Sequence, residues 1–377
     1  MASPASFHLD ATDGEARAGR AETPHGAFHT PCFMAVGTQG AVKLLTPDDV
    51  RGVGIEVVLA NAYHLMLRPG AQVVEALGGL ARFSGWDGPT TTDSGGFQIF
   101  SQPELVRVSE EGVRFTSHID GARVFLSPER AVEVQGAIGA DLVMCLDECL
   151  PYPVERSRAA ESLERTLRWA ARCREAHARA GRAQALFGIV QGATYRDLRE
   201  EAAERLVEIG FDGYAIGGLS VGEGPAVLRE VLDWTAPRLP EGRLRYLMGA
   251  GTPEDLLAAI GLGVDLFDCV LPTRNGRSAT AFTRFGRLRL RNARHARDDS
   301  PVEEGCDCPC CKRFSRGYLR HLFLAGEGTA GALLSLHNLR FYARLMHEAR
   351  RAICGSRFAS FCREFLAGLA SGGSAGE

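Results

Sequence analysis

The feature that most constrains this chain is an alternation. Short apolar, β-branched runs are followed repeatedly by stretches that carry helix-start signals. Cys32–Gly37 and Ile55–Ala60 read as buried strands, and further strand-like runs end at Thr92, Asp147, Gln191, Gly217, Gly249 and Asp268. Thr46-Pro47-Asp48-Asp49, Ser127-Pro128-Glu129-Arg130 and Thr252-Pro253-Glu254-Asp255 lie between them. Each offers a hydroxyl as N-cap, proline at the first helical position and acid in the first turn. Thr194-Tyr195-Arg196-Asp197 opens another helix, and Pro153–Arg179 is a long amphipathic one. Strand-then-helix repeats imply a parallel sheet, because parallel neighbours need a crossover between them. Seven or eight such units predict an α/β fold, a closed (β/α)8 TIM barrel, with an open doubly wound sheet as the alternative. Residues 1–30 predict a small N-terminal β element. The segment 98–126, with Gly112 and Gly121, predicts a β-rich insertion.

Polar and special residues gather where the strands end: Asp93-Ser94-Gly95-Gly96-Phe97-Gln98, Asp147-Glu148, Gln191-Gly192, Gly217-Gly218, Met248-Gly249 and Asp268. In a (β/α) barrel that edge is where active sites are built. Packing alone does not explain the pattern, since buried carboxylates without a task are costly. The run Val264–Val270 delivers Asp268 to a strand end, and Pro272, Asn275 and Gly276 predict a loop carrying Arg274 and Arg277. An isolated aspartate there would be a cap or half of an ion pair. Beside a basic loop, and with Asp93 on another strand end, it suits double displacement at a sugar carbon. One carboxylate attacks and the other moves protons. Asp147 and Gln191 can read the edge of a heterocycle, because a carboxylate accepts from N–H donors and an amide both donates and accepts. Gly217-Gly218 lets a backbone approach a flat ligand closely. Phe97 and Met248 have the chemistry to sandwich a planar ring, although each taken singly is ordinary core.

Net charge bounds the partners. At −3 over 377 residues the chain is no polyanion binder as a whole, so any nucleic-acid site is a local patch. Residues 269–297 contain no Asp or Glu and carry eight arginines: Arg274, Arg277, Arg284, Arg287, Arg289, Arg291, Arg294 and Arg297. Arg287-Leu288-Arg289-Leu290-Arg291 alternates with period two, as a half-buried strand does, and Phe285-Gly286 supplies a hairpin turn. One-sided charge predicts a phosphate-binding strip, against the alternative of a solvated, charge-protected edge.

No apolar run is long enough to span a membrane, and Met1–Asp10 has no apolar signal region. The expectation is a cytoplasmic chain with reduced thiols. Four of its eleven cysteines fall within Cys306–Cys311, and His337 follows in a helical stretch, Thr329–Ala352. Cys306, Cys308 and Cys311 with His337 fit a closed tetrahedral site for structural zinc and leave Cys310 idle. The alternative is a redox cluster or chance spacing. The predicted division is a catalytic barrel over 1–282, a zinc-binding subdomain over 283–369 and a disordered tail over 370–377.

Asp93–Gln98, Gly188–Gly192, Ile216–Leu219, Phe267–Arg274, Val36–Gly40, Tyr63–Gly70 and the Cys/His set together resemble the queuine tRNA-ribosyltransferases, the tRNA-guanine transglycosylase family. The resemblance runs from about Phe7 to about Leu369. It implies a (β/α)8 barrel, and a zinc subdomain that helps to bind tRNA. It also implies a homodimer that exchanges guanine at the wobble position of GUN-anticodon tRNAs (Asp, Asn, His and Tyr acceptors). By match of motifs, Asp268 would be the nucleophile on the ribose and Asp93 the general acid/base. Asp147, Gln191, Gly218 and Leu219 would hold the base, with Ser94, Gly95, Gly96, Phe97 and Met248 around it. Gly249, Ala250, Gly251, Thr252, Pro253, Glu254 and Asp255, and Thr273, Arg274, Asn275, Gly276 and Arg277, would contact RNA. Cys306, Cys308, Cys311 and His337 would hold zinc. Val221 and Cys149 resemble the bacterial pattern, which implies 7-aminomethyl-7-deazaguanine as the incoming base. Ala35 and Ala62 depart from the common Pro and Thr, away from any matched catalytic position.

Two rivals remain at this level. A barrel glycoside hydrolase would need sugar-stacking tryptophans at the mouth, and of three Trp, Trp169 and Trp234 fall in outer helices. A non-catalytic RNA-binding partner subunit would lack Asp93, Asp268 or the 273–277 segment, and all are present.

Overall fold

The computed structural model describes residues 5–100 and 106–371. Eight parallel strands form its centre: Cys32–Val36, Val58–Asn61, Thr90–Asp93, Leu142–Met144, Ala185–Val190, Gly213–Ile216, Leu244–Leu247 and Leu266–Cys269. The last pairs with the first, Leu266 opposite Cys32 through Cys269 opposite Ala35. That ladder closes the barrel and excludes the open sheet. Most of the strands are almost continuously apolar, and even Thr90–Asp93 is buried along its length, because each is covered on both faces, by side chains filling the barrel and by the helices outside.

The expected caps are formed. Thr46 and Asp49 make a reciprocal capping box, the Ser127 hydroxyl accepts from the Arg130 N–H, and the Thr252 hydroxyl accepts from the Asp255 N–H. The long helix predicted over 153–179 runs Arg156–Ala180. The N-terminal β element is a three-stranded antiparallel sheet, Ser6–Asp13, Ala16–Thr23 and Gly26–Thr30. The insertion holds a second one, Val106–Val108, Val113–Thr116 and Arg123–Leu126. Its residues 101–105 lie outside the described ones.

Two expectations need correction. The segment after Asp268 is a short helix, Leu271–Arg277, rather than a loop. Pro272 sits in its first turn, where a missing N–H costs nothing. Gly276 is a packing residue rather than a breaker: a Cβ there would lie 2.6 Å from the Ser335 hydroxyl of helix Gly328–Cys354. Asn338 of that helix donates to the Pro272 carbonyl at 2.8 Å, and Ser335 to that of Thr273 at 3.3 Å. Second, helix Phe358–Ser371 takes in Ala370 and Ser371 of the expected tail, while 372–377 lie outside the described residues.

The basic stretch forms a hairpin as expected, Thr280–Thr283 against Gly286–Arg289, but it turns at Arg284-Phe285, one residue ahead of the expected Phe285-Gly286, with Gly286 paired to Thr283. Arg287 and Arg289 are exposed and Leu288 is half-buried, which is the period-two pattern. A second apolar cluster gathers Leu290, Val302, Cys306, Cys308, Cys310, Leu319, Phe323, Ala330 and Leu334. Helix Gly328–Cys354 starts in that cluster and continues into the main core through Leu339, Phe341, Tyr342 and Leu345. It therefore ties the C-terminal part to the barrel.

Candidate active site and metal centre

The carboxylates end neighbouring or facing strands at one mouth of the barrel. Asp93 closes the strand Thr90–Asp93 and is 8% exposed. Its Oδ2 accepts from the Asn61 amide and, at 2.7 Å, from Gln98 Nε2, while Oδ1 accepts from the Ala62 N–H at 3.0 Å. Burial nevertheless pushes its carboxyl up to about 6. The hydrogen bonds oppose that rise, and the charge of Asp268 adds to it.

Asp268 lies on the last strand, partly open at the mouth but crowded by protein, which raises its carboxyl above the ordinary range. Its Oδ1 accepts from the Tyr246 hydroxyl at 2.5 Å and from the Gly249 N–H at 2.9 Å. Among the described residues Oδ2 has no hydrogen-bond partner. The two oxygens are thus unlike: one is held and one is free.

Asp147 and Gln191 form the second half of the site. Gln191 Nε2 donates to Asp147 Oδ2 at 2.7 Å, and the Ser94 hydroxyl reaches Oδ1 at 3.4 Å. Burial pushes Asp147 up to about 6 as well, against the Gln191 and Ser94 hydrogen bonds. Gly218 passes directly over Gln191. Its φ is +65°, and a Cβ there would fall 2.3 Å from Gln191 Oε1. Any larger residue would both strain the backbone and displace the amide. A cavity beside the pair is lined by Glu148, Tyr152, Gln191, Gly218, Val221 and Glu223.

The remaining site residues divide by exposure. Phe97 is 56% exposed, free to cover a ligand, whereas Met248 packs half-buried against the core and Leu219 is buried. Of the segment 249–255, Gly249 and Glu254 are exposed, while Ala250, Gly251 and Pro253 are buried and shape the turn. Gly251 accepts the buried Tyr342 hydroxyl at 2.5 Å. In Thr273–Arg277, Arg274 is exposed and Thr273 and Gly276 are buried. Arg277 is half-buried, its Nη1 lacks a hydrogen-bond partner among the described residues, and desolvation lowers its pKa. An unpaired guanidinium N–H of this kind is suited to an anion brought by a ligand.

Sequence reading missed three residues. Asn61 ends a barrel strand, as the other polar site residues do, and that position was its signal. Tyr246 looks like one more apolar strand residue, and nothing local says that its hydroxyl meets Asp268. Arg199, a residue of helix Arg196–Ile209 that no sequence signal singles out, is fully buried. It donates to the carbonyls of Ala193 at 2.7 Å, Val190 at 3.0 Å and Gly217 at 2.8 Å, and so holds the backbone under the Gln191–Gly218 contact.

Cys306, Cys308, Cys311 and His337 converge. Their sulfurs lie 3.7, 3.8 and 3.2 Å from His337 Nδ1, and all four ligand atoms are within 4.8 Å of one another. His337 Nε2 lies 2.8 Å from the Phe282 carbonyl, which takes its N–H and leaves Nδ1 as the lone-pair donor. Cys310 is buried outside this set, and desolvation pushes its thiol far up. The group is compatible with a metal ion held between three thiolates and an imidazole.

Comparison with known proteins agrees with this geometry. The family model described as "Queuine tRNA-ribosyltransferase" matches residues 12–371. The queuine tRNA-ribosyltransferase of Solidesulfovibrio magneticus is 52% identical over 367 residues, covering 97% of this chain and 98% of that one. That of Pelotomaculum thermopropionicum is 55% identical over 351 residues, 93% and 94% of the two chains. That of Thiobacillus denitrificans is 51% identical over 366 residues, 97% and 99%. No helix among the described residues is long and apolar enough to cross a membrane. The chain therefore belongs to the queuine tRNA-ribosyltransferase family, the tRNA-guanine transglycosylases, which are glycosyltransferases.

Proposed function

We propose that the protein exchanges guanine at the wobble position of GUN-anticodon tRNAs for 7-aminomethyl-7-deazaguanine, by double displacement through a covalent enzyme–RNA intermediate. The observation that carries this reading is the pair Asp268 and Asp93, two strand-end carboxylates close enough for one to raise the pKa of the other. Asp268 Oδ2, the free oxygen, attacks the ribose anomeric carbon as the bond to guanine breaks. Asp93 gives the leaving base its proton, then takes one from the incoming base, which displaces Asp268. A carboxyl near 6 populates both protonation states around neutrality, as a group that both gives and takes a proton must.

Asp147, Gln191 and Gly218 read the base edge in this account, Leu219 contributes its backbone and Phe97 covers the ring. Ser94, Gly95 and Gly96 shape the floor, with Met248 behind it. The exposed Gly249, Glu254 and Arg274, with Arg277, meet the anticodon region. The buried members of 249–255 and 273–277 set the shape of those turns. The hairpin arginines Arg287 and Arg289 extend the surface to the phosphates. Zinc is the ion we assign to the Cys306, Cys308, Cys311 and His337 cluster. A tetrahedral site with Zn–S of about 2.3 Å and Zn–N of about 2.0 Å needs ligand atoms roughly 3.5–3.8 Å apart; Cys306 and Cys308 match that spacing to His337, while Cys311 lies somewhat closer at 3.2 Å. Its role is structural, within a subdomain we place at 283–369 beside a catalytic part at 1–282. We take the working form to be a cytoplasmic homodimer acting on the Asp, Asn, His and Tyr tRNAs. Incubation of GUN-anticodon tRNA with labelled guanine, followed by nuclease mapping and mass spectrometry, tests the reading: label appears at the wobble nucleotide alone. Absence of label, or label elsewhere, overturns it.

The choice of incoming base rests on Val221. It lines the cavity beside Gln191 and Gly218, where a 7-substituent would extend. A branched side chain tolerates a small group but excludes a large ring by overlap. Val221→Gly is expected to raise incorporation of queuine, which carries a cyclopentene-diol, by on the order of tenfold or more. Use of the aminomethyl base should persist. Equal incorporation of both bases by the unaltered enzyme, in parallel assays, would remove the steric argument.

A further inference from the structure

The strand that leads to Asp147 ends early. Its ladder covers Leu142–Met144 and, among the described residues, continues only through the Cys145 N–H, which donates to the Phe187 carbonyl at 3.0 Å. Asp147 therefore projects from a segment that the sheet does not hold. Side chains of one helix, Arg156–Ala180, hold it instead. The Leu146 N–H meets Cys173 Sγ at 3.4 Å, the Glu148 N–H donates to the Thr166 hydroxyl at 3.1 Å, and the Ser162 hydroxyl donates to the Glu148 carbonyl at 3.4 Å. The Glu148 carboxylate, 1% exposed, receives Arg158 at one oxygen and Arg165, at 2.5 Å, at the other. Arg158, Ser162, Arg165 and Thr166 recur at helical spacing along a single face. A buried carboxylate with a guanidinium on each oxygen is expensive to assemble, and this one has no free oxygen for substrate.

We infer that Glu148 is a positioning residue for base recognition. The double arginine clamp on its carboxylate fixes the residue after Asp147, and so sets the direction from which Asp147 meets the base. This rests on the assignment of Asp147 to base reading. Glu148→Gln keeps the size of the side chain but turns an NH2 group toward one of the two arginines. The segment is then loosened without emptying the core.

The test compares Glu148→Gln, the double variant Glu148→Gln/Arg165→Gln and Asp147→Asn in steady-state exchange of labelled guanine, varying guanine and tRNA separately. Melting temperatures are measured in parallel. For Glu148→Gln the KM for guanine is expected to rise on the order of tenfold, with kcat at saturating base and KM for tRNA within about twofold. The double variant, in which an amide oxygen can face the new NH2 group where the Arg165 guanidinium donated, should recover part of the loss. A purely structural role would lower the melting temperature and leave the guanine KM unchanged, and that result overturns the inference. So does a loss in kcat and both KM values together. If Asp147→Asn itself leaves the guanine KM unchanged, the base-reading assignment falls, and the positioning role falls with it. If Asp147→Asn raises it and Glu148→Gln does not, only the positioning role falls.

Discussion

Asp268→Asn is expected to lower base exchange by at least roughly 10³-fold while leaving tRNA affinity within a few-fold of the unaltered protein. The side chain is nearly isosteric, and its remaining carbonyl oxygen can still accept from the Tyr246 hydroxyl and the Gly249 N–H that hold Oδ1 now. The fold and the mouth of the barrel should survive. The free Oδ2, however, becomes an amide nitrogen, which has no available lone pair to form a bond to the anomeric carbon. The direct readout is a covalent enzyme–RNA species on denaturing gels after mixing with tRNA. The unaltered protein should give a slow-migrating band that fades when free base is added, and the asparagine variant should give none. A band of equal strength from the variant would transfer the nucleophile role elsewhere. On the proposed roles Asp93→Asn differs in kind, since it would leave the nucleophile in place and remove the group assigned to proton transfer. Comparing the two separates attack from proton transfer.

Much of this site was legible because barrel geometry converts sequence position into space. A polar residue at the end of a β-branched run must lie on the C-terminal rim, so Asp93, Asp147, Gln191, Gly218 and Asp268 could be gathered before any coordinates. The Cys/His cluster was legible for a different reason. Cys306, Cys308 and Cys311 are near in sequence, and soft ligands limit what they can bind. What escaped reading depends on distant contacts. Tyr246 is one strand residue among many until the ring closes and brings Asp268 beside it. Arg199 gave no signal because helix periodicity does not say which charged residue reaches four backbone carbonyls. Pro272 and Gly276 favour a loop on local grounds, and the close approach of Ser335 and Asn338 decides otherwise. The clamp on Glu148 was hidden in the same way. Arg158 and Arg165 are two of several arginines on the helix Arg156–Ala180, and only the early end of the strand Leu142–Met144 gives them something to hold.

Cys306→Ser should strip the metal, and Cys310→Ser should not. Structural zinc in small cysteine-rich sites contributes about 10–16 kcal/mol of apparent binding free energy near neutral pH, so loss of one thiolate is felt well beyond the ligand. Here the three cysteines are themselves part of the apolar cluster with Leu290, Val302, Leu319 and Leu334. Without the ion, three thiols and an imidazole must share that space with no charge to hold them together. Metal analysis of the purified variant is expected to fall from about one ion per chain to a small fraction of that. The C-terminal part should become protease-sensitive, and affinity for tRNA should drop with it. The barrel has its own core and should stay folded. Cys310→Ser tests the alternative ligand. Its thiol is fully buried beside the set but outside it. A hydroxyl in that place lacks a partner and should cost about 1–3 kcal/mol of stability with metal content unchanged. The two variants therefore separate along different axes, one losing metal and the other losing only stability. If Cys310→Ser emptied the site while Cys306→Ser kept its ion, the ion would be held by a different set of thiolates, and the orientation given to His337 by the Phe282 carbonyl would need another explanation.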